Sequence, residues 1–264
     1  MLFVSIIIIL VGLVIGSFLN CLAWRFHKKD TIGGRSRCPK CSAKIHWYDN
    51  LPILSFIILR ARCRSCHQKI SWQYPLVELI TAGLFFFSFY YHTGYLVNNL
   101  DVLRDIHFVV TILRDWFLLS SLTMIFIMDL RWYIIVDKVS LPAAAIVLIL
   151  NLWLGMPWPG LLLSAIIGAG FFLLQFIVSG GKWIGGGDIR LGLLMGLALG
   201  WPHILVALFL AYFLGAIVGL GLMLAGKKKF GSKLPFGTFL TIATAITMFY
   251  GQELMNFYFN LLNF

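Results

Sequence analysis

Two aspartates stand apart from the other acidic residues of this 264-residue chain. Asp129 lies in IFIMDLRWYIIVDKVSLP, where an apolar run ends, and Asp188 lies in GGGDIRLGLLMG, where another begins. A carboxylate at membrane depth is costly and rare, so each is a candidate for function. Two that converge can share one proton. The ionised carboxylate takes a proton from water, and its neutral partner hydrogen-bonds or protonates a scissile carbonyl. Such a pair titrates as a unit. Gly185, Gly186 and Gly187 permit close backbone approach and unusual dihedrals just before Asp188, which would let an extended substrate lie beside it. A helix N-terminus there favours the ionised form. The bland readings are an N-cap for Asp188 and an interfacial pair with Arg131 for Asp129. Asp137 competes with Asp129 and reads as the N-cap of the following helix.

Four cysteines form the second constellation: Cys38-Pro-Lys-Cys41 and Cys63-Arg-Ser-Cys66. Two C-x2-C turns can present four thiolates in a tetrahedron, which suits zinc. Four thiolates close the coordination shell, so such a metal is structural. Disulfides and iron–sulfur ligation are the alternatives, the former disfavoured in a reducing cytoplasm. The surrounding loop has few apolar residues (Ile45, Trp47, Leu51, Ile53, Leu54, Phe56), a deficit that a metal staple offsets. Cys21 reads as a small buried apolar residue.

The elements that must position these groups are apolar. Sixty per cent of the residues are hydrophobic and the mean hydropathy is +0.91, against about 45–50% apolar for a soluble domain. Lipid must therefore be the solvent for most of the chain. The expected fold is an all-α polytopic membrane protein with about eight transmembrane helices and a small zinc-stapled loop domain. The expected spans are residues 2–23, 75–92, 109–128, 139–155, 160–179, 189–200, 203–225 and 234–250, the sixth being short. The first lacks a basic n-region and reads as a retained helix rather than a signal peptide. This divides the chain into a first transmembrane helix (1–23), a cytoplasmic four-cysteine domain (24–73) and a membrane-embedded protease domain (74–264).

The net charge is +11. Alternating spans place 24–72, 129–138, 180–190 and 226–233 on one side. Those segments hold all of the 21 Lys and Arg residues except Arg104 and Arg114. By the positive-inside rule that side is cytoplasmic, with both termini outside. The basic segment 24–72 then faces anionic lipid, and a nucleic-acid partner is not expected.

The ordered set of motifs resembles the type IV prepilin peptidases, the bifunctional leader peptidase/N-methyltransferases of bacterial inner membranes. The resemblance is carried by GSFLNCLAWR (16–25), the two cysteine pairs, YPLVELITA (74–82), MDLRWYIIVD (128–137), GGGDIRL (185–191), which matches a G-x-G-D signature, and LPFGTFL (234–240). Met128 stands where that family usually has Ile, and I-V-D replaces a frequent L/I-P-D. The resemblance implies catalytic Asp129 and Asp188. The substrates would be prepilins and pseudopilins, cut after a glycine at the cytoplasmic membrane face. It also implies methylation of the new N-terminus by S-adenosylmethionine. No glycine-rich nucleotide loop marks a cofactor site, and 24–72 is the expected neighbourhood by analogy.

Two other classes compete: another G-x-G-D intramembrane protease without methylation, and a non-enzymatic metal-stapled scaffold of a secretion system, or a transporter. The four cysteines and the G-S-F-L-N opening argue against the first. Acids at the rim rather than the midplane argue against a transporter. Glu78 reads as a helix-start acid, a partner for a loop arginine, or a residue near the dyad or cofactor. Lys182 and Arg190 flank Asp188 and either tune its charge or anchor the loop. Arg114 and Asp115 need partners, or a third span that starts later. The six histidines share no spacing and carry no expected role.

Overall fold

The computed structural model describes residues 2–94, 104–229 and 231–261. Among these the protein is helical: α1 (Leu2–Lys28), a 3-10 turn (Trp47–Asn50), α2 (Leu54–Ile58), α3 (Gln73–Thr93), α4 (Ile106–Trp132), α5 (Asp137–Trp153), α6 (Trp158–Ser179), α7 (Gly186–Leu199), α8 (His203–Leu224) and α9 (Phe236–Leu261). Each of the eight expected spans overlaps one helix, the one at 189–200 being the 14-residue α7. Five of them, α1, α3, α4, α6 and α8, are long and apolar enough to cross a membrane. Their outward faces carry large apolar side chains such as Leu10, Leu174, Ile177 and Phe209, as a lipid environment requires. The chain forms two compact units, Met1–Met124 and Ile125–Phe264.

In the first unit α1 packs along α3. Gly12 and Gly16 stand four apart, and a Cβ added to either would meet a backbone Cα of α3: Ala82 at 2.5 Å and Glu78 at 2.7 Å. Small residues at this spacing let two helix backbones approach in lipid, where dispersion rather than the hydrophobic effect joins helices. Asn20 completes the seam. Its amide donates to the carbonyls of Gly16 (3.3 Å) and Tyr74 (3.2 Å), and it accepts from the Gln73 side chain (3.1 Å). The buried Arg25 ends α1 by donating to the carbonyls of Ile32 and Gly34. The motifs GSFLN and YPLVE are thus the two halves of one helix–helix contact.

Ile8, Phe85, Phe89 and Ile112 make a core further along, with Trp116 stacked on Phe85 at 4.7 Å between ring centroids. Asp115 is completely buried here. It accepts from His92 Nε2 (2.6 Å), from Arg114 Nη2 (2.5 Å) and from Ser88 (3.4 Å). The Arg114–Asp115 pair therefore has its partners. The helix begins at Ile106, ahead of the expected residue 109, so a later-starting span is not the explanation.

In the second unit α7 is the centre. It has 14 residues and a length of about 21 Å, and it packs on α5, α6, α8 and α9. The contact with α6 is backbone on backbone. A Cβ at Gly168 would lie 2.3 Å from the Gly192 carbonyl oxygen, and one at Gly196 would lie 2.3 Å from that of Ser164. Asn151 of α5 donates to the carbonyls of Leu197 (2.7 Å) and Ala198 (3.3 Å), acceptors that the helix end leaves without an intrahelical donor. The long α9 buries Thr238, Thr241, Thr244 and Thr247 along one face. The hydroxyls of Thr241 and Thr244 donate to carbonyls of the same helix.

These contacts predict that Gly168→Ala and Gly196→Ala each destabilise the protein by about 1–3 kcal/mol or more. Gly170→Ala, whose Cβ meets nothing within 4 Å, should leave stability unchanged or raised. Thermal unfolding of the three variants in one detergent checks the contrast.

Candidate functional site

Asp129 and Asp188 both lie in the second unit and both are buried, with relative exposures of 5% and 8%. Asp129 occupies the last turn of α4. Its carboxylate does not pair with Arg131, whose guanidinium lies over the Trp132 ring instead. It sits at the N-terminus of α9, where Oδ2 accepts the Thr238 backbone amide at 2.8 Å and the Gly237 amide is also directed at it. The first amides of a helix have no intrahelical acceptor and carry the positive end of its dipole. Gly237 is required by space. A Cβ there would lie 2.9 Å from Asp129 Oδ2.

Asp188 is the third residue of α7 rather than its N-cap. Gly185 holds the N-cap position. The Asp188 carboxylate folds back to accept the Gly185 amide (3.0 Å), and its own amide donates to the Gly185 carbonyl (3.1 Å). The glycine run is not needed for unusual dihedrals: Gly185 is extended, at φ −84° and ψ 157°. Its use is close approach. A Cβ at Gly187 would lie 2.7 Å from the Ile135 Cβ.

Ile135 joins the two halves. It follows α4 in the short segment that leads to α5, and its side chain meets both Gly187 and Gly237. The starts of α7 and α9 are thus gathered on one apolar side chain, and Asp188 lies within the electrostatic field of Asp129. Tyr133 adopts φ +56°, and its amide donates to the Asp129 carbonyl. That left-handed residue ends α4 and sends the chain toward Ile135.

Asp137, the competitor for Asp129, is half exposed and pairs with Arg190. It is the first residue of α5, the N-cap being Val136. Arg190 is therefore engaged with α5 rather than with Asp188. Ile135, Gly237 and Thr238 were not singled out as site residues from sequence. The available signals were MDLRWYIIVD, which contains Ile135, and LPFGTFL, whose glycine has no role until α9 is brought against α4.

The first unit carries the cysteines. One sulfur each from Cys38, Cys41, Cys63 and Cys66 lies within 4.8 Å of all the others, with Cys38 and Cys66 at 3.9 Å. Zinc–sulfur bonds of about 2.3 Å place tetrahedral sulfurs about 3.8 Å apart, so the donor set fits zinc.

The two cysteine turns repeat one design 25 positions apart. Arg37 bridges Lys44 as Arg62 bridges Lys69. The amides of Cys38 and Cys63 donate to the carbonyls of Ala43 and Gln68, and those of Ile45 and Ile70 to the carbonyls of Ser36 and Ala61. Ser42 and His67 take the same left-handed conformation. The sequences match as R-C-x-x-C-x-x-K-I-x-W.

The thiols do not ionise alike. The Cys66 amide, outweighing burial, brings Cys63 down to about 7. The Gln68 amide works the same way on Cys66, yet burial and the thiols of Cys41, Cys63 and Cys38 push it up to about 11. Crowded sulfurs resist becoming anions together unless a cation joins them. The Arg64 guanidinium grips Asp49 through two hydrogen bonds (2.8 and 2.6 Å) and holds its carboxyl below the usual range, which ties the second turn to the 3-10 segment.

Glu78 meets no loop arginine. It accepts the Ile53 amide at 2.8 Å and anchors the segment between the turns to α3. An open cleft of about 510 Å³ borders the second turn, lined by Leu59, Arg60, Arg62, Cys63, Arg64 and His67. Its lining holds the guanidiniums of Arg60, Arg62 and Arg64 and no carboxylate. With no acid for a sulfonium or for ribose hydroxyls, it does not fit S-adenosylmethionine.

Residues 10–92 match the model of the bacterial peptidase A24 N-terminal domain, and residues 116–220 match that of the type IV leader peptidase family. The chain is similar to the prepilin leader peptidase/N-methyltransferase of Burkholderia pseudomallei (strain 1026b), 30% identical over 92% of this chain and 84% of the relative. It is also similar to the proteins of that name from Legionella pneumophila, 29% identical over 97% and 94%, and from Aeromonas salmonicida (strain A449), 28% identical over 96% and 92%. No solved structure matches the chain. With both family models matched in order and relatives of one name aligned along nearly its whole length, the chain belongs to the type IV leader peptidase family.

Proposed function

We propose that the protein is a membrane aspartic endopeptidase that removes the leader of prepilins and pseudopilins and methylates the exposed N-terminus. The observation that carries the peptidase reading is the convergence of two buried carboxylates through Ile135, Gly187 and Gly237. One carboxylate, ionised, takes a proton from water. The hydroxide so formed attacks the scissile carbonyl carbon while the other carboxyl, protonated, donates to the carbonyl oxygen. Collapse of the tetrahedral intermediate breaks the C–N bond, and the departing amine takes a proton from the dyad. Asp129 and Asp188 are the catalytic residues. The backbone amides of Thr238 and Gly185 hold their oxygens so that little reorganisation remains for the reaction.

The positive-inside rule supports a cytoplasmic position for this chemistry, for the cysteine domain (24–73) and for the loop before α9, in a bacterial inner membrane. All eight long helices span the bilayer in this reading, with α5, α7 and α9 sheltered by their neighbours, and both termini outside. The protease domain is 74–264. Cys38, Cys41, Cys63 and Cys66 hold a structural zinc ion, which draws the two turns together and makes all four sulfurs thiolates. S-adenosylmethionine is the methyl donor, as the relatives' names suggest, and no methyl-transfer step is assigned to the cationic cleft.

Three outcomes are expected. Asp129→Asn and Asp188→Asn should each lower prepilin cleavage in membranes at least about a thousandfold with protein levels maintained, and full cleavage by either variant would remove the dyad. Gly237→Ala should lower kcat about a hundredfold by displacing the Asp129 carboxylate, read as single-turnover cleavage of a prepilin peptide. The Cys63→Ser/Cys66→Ser double variant should lose its zinc, measured by elemental analysis of the purified protein. Unchanged metal content would defeat the tetrathiolate assignment.

A further inference from the structure

Beside the two aspartates the second unit carries a polar pair on a surface that is otherwise apolar. The Tyr212 hydroxyl of α8 donates to Gln175 Oε1 of α6 at 2.8 Å. The Gln175 amide donates to the Phe171 carbonyl at 3.4 Å. Neither residue is buried, and their neighbours along the same helices, Phe171, Leu174, Phe209 and Phe213, are exposed as lipid-facing residues would be. Polar groups on a lipid-facing surface are disfavoured unless something meets them.

The pair lies next to the site. The Tyr212 ring stands 4.9 Å from that of Phe236, centroid to centroid. Phe236 is the first residue of α9 and precedes Gly237 and Thr238, which receive Asp129. Tyr212 also lies within the electrostatic field of Asp188. Once the tyrosine has donated to Gln175, its oxygen retains a lone pair and the glutamine retains one N–H. One acceptor and one donor side by side match the N–H and C=O of an extended peptide.

We propose that Gln175 and Tyr212 hold the backbone of the substrate segment next to the scissile bond, along the face between α6 and α8. This rests on the peptidase reading above. The apolar helix of the substrate reaches this face from the bilayer and lies on Phe209 and Leu174. Where that helix unwinds toward the aspartates, its freed peptide groups exchange lipid for the tyrosine oxygen and the glutamine amide. Both are substrate-holding groups, and neither takes part in proton transfer. The hydrogen bonds exist equally in the bound and transition states, so they set KM rather than kcat.

The test uses the full-length enzyme in lipid nanodiscs and a synthetic prepilin peptide that carries the basic leader and the following apolar helix. Tyr212→Phe and Gln175→Met should each raise KM about tenfold, with kcat within about twofold of wild type and an unchanged melting temperature. A lowered melting temperature with wild-type KM in both variants would reduce the pair to helix–helix glue and overturn the inference, as would no change in any parameter. A photoreactive benzoylphenylalanine in place of Tyr212 should crosslink the peptide within a few residues of the scissile bond. Crosslinks to lipid alone would count against the inference. Asp129→Asn, run alongside, separates the two readings. Full cleavage by that variant removes the dyad itself, whereas its inactivity together with wild-type KM in the Tyr212 and Gln175 variants removes only the substrate-holding pair.

Discussion

Everything at the site depends on keeping carboxylate oxygens out of water without leaving them bare. A buried carboxylate unmatched by donors costs several kcal/mol, by order of magnitude. Here the matching donors are backbone amides at two helix starts, Thr238 for Asp129 and Gly185 for Asp188. Main-chain donors cannot rotate away as a side chain can. The remaining oxygen positions can therefore serve a reaction without the pair collapsing onto an arginine. Arg190 illustrates the alternative, since it is occupied by Asp137 in a half-exposed pair.

Bringing two helix starts onto one side chain requires helices that nearly touch. The second unit achieves this by omitting Cβ atoms at close approaches: backbone on backbone at Gly192 against Gly168 and Gly196 against Ser164, and backbone on side chain at Gly187 against Ile135 and Gly237 against Asp129. The same rule joins α1 to α3 at Gly12 and Gly16. Because α7 is ringed by α5, α6, α8 and α9, it can be short. Its carbonyl end is met by Asn151.

Much of this was legible in the sequence. Apolar runs located every long helix to within a few residues at most ends, because lipid demands length and hydrophobicity of each segment separately. The two aspartates and the cysteine spacing were visible for the same reason, as local patterns of residue type. The pairings were not legible. Glu78 read as a helix-start acid, a partner for a loop arginine or a residue near the dyad or cofactor, and it receives the Ile53 amide. Gly185 to Gly187 read as a run that permits close approach and unusual dihedrals, whereas only Gly187 is under steric demand. Gly237 and Ile135 were invisible because their meaning lies in contacts across a hundred positions of chain. The repeat of the cysteine turns was present in the letters R-C-x-x-C-x-x-K-I-x-W but escapes a search for ligands alone.

That repeat has a mechanical consequence. Each turn contributes two sulfurs, and neither can complete a four-sulfur shell without the other. An ion held by all four would be a clasp between two equivalent halves, with the stretch between them a strap fastened at both ends. Closing a loop costs entropy that grows only slowly with its length, so a fastened strap can lengthen while the clasp stays as it is. Change between the turns is thus tolerated away from Asp49 and Ile53, whose contacts with Arg64 and Glu78 bind the strap to the buckle and to its mount.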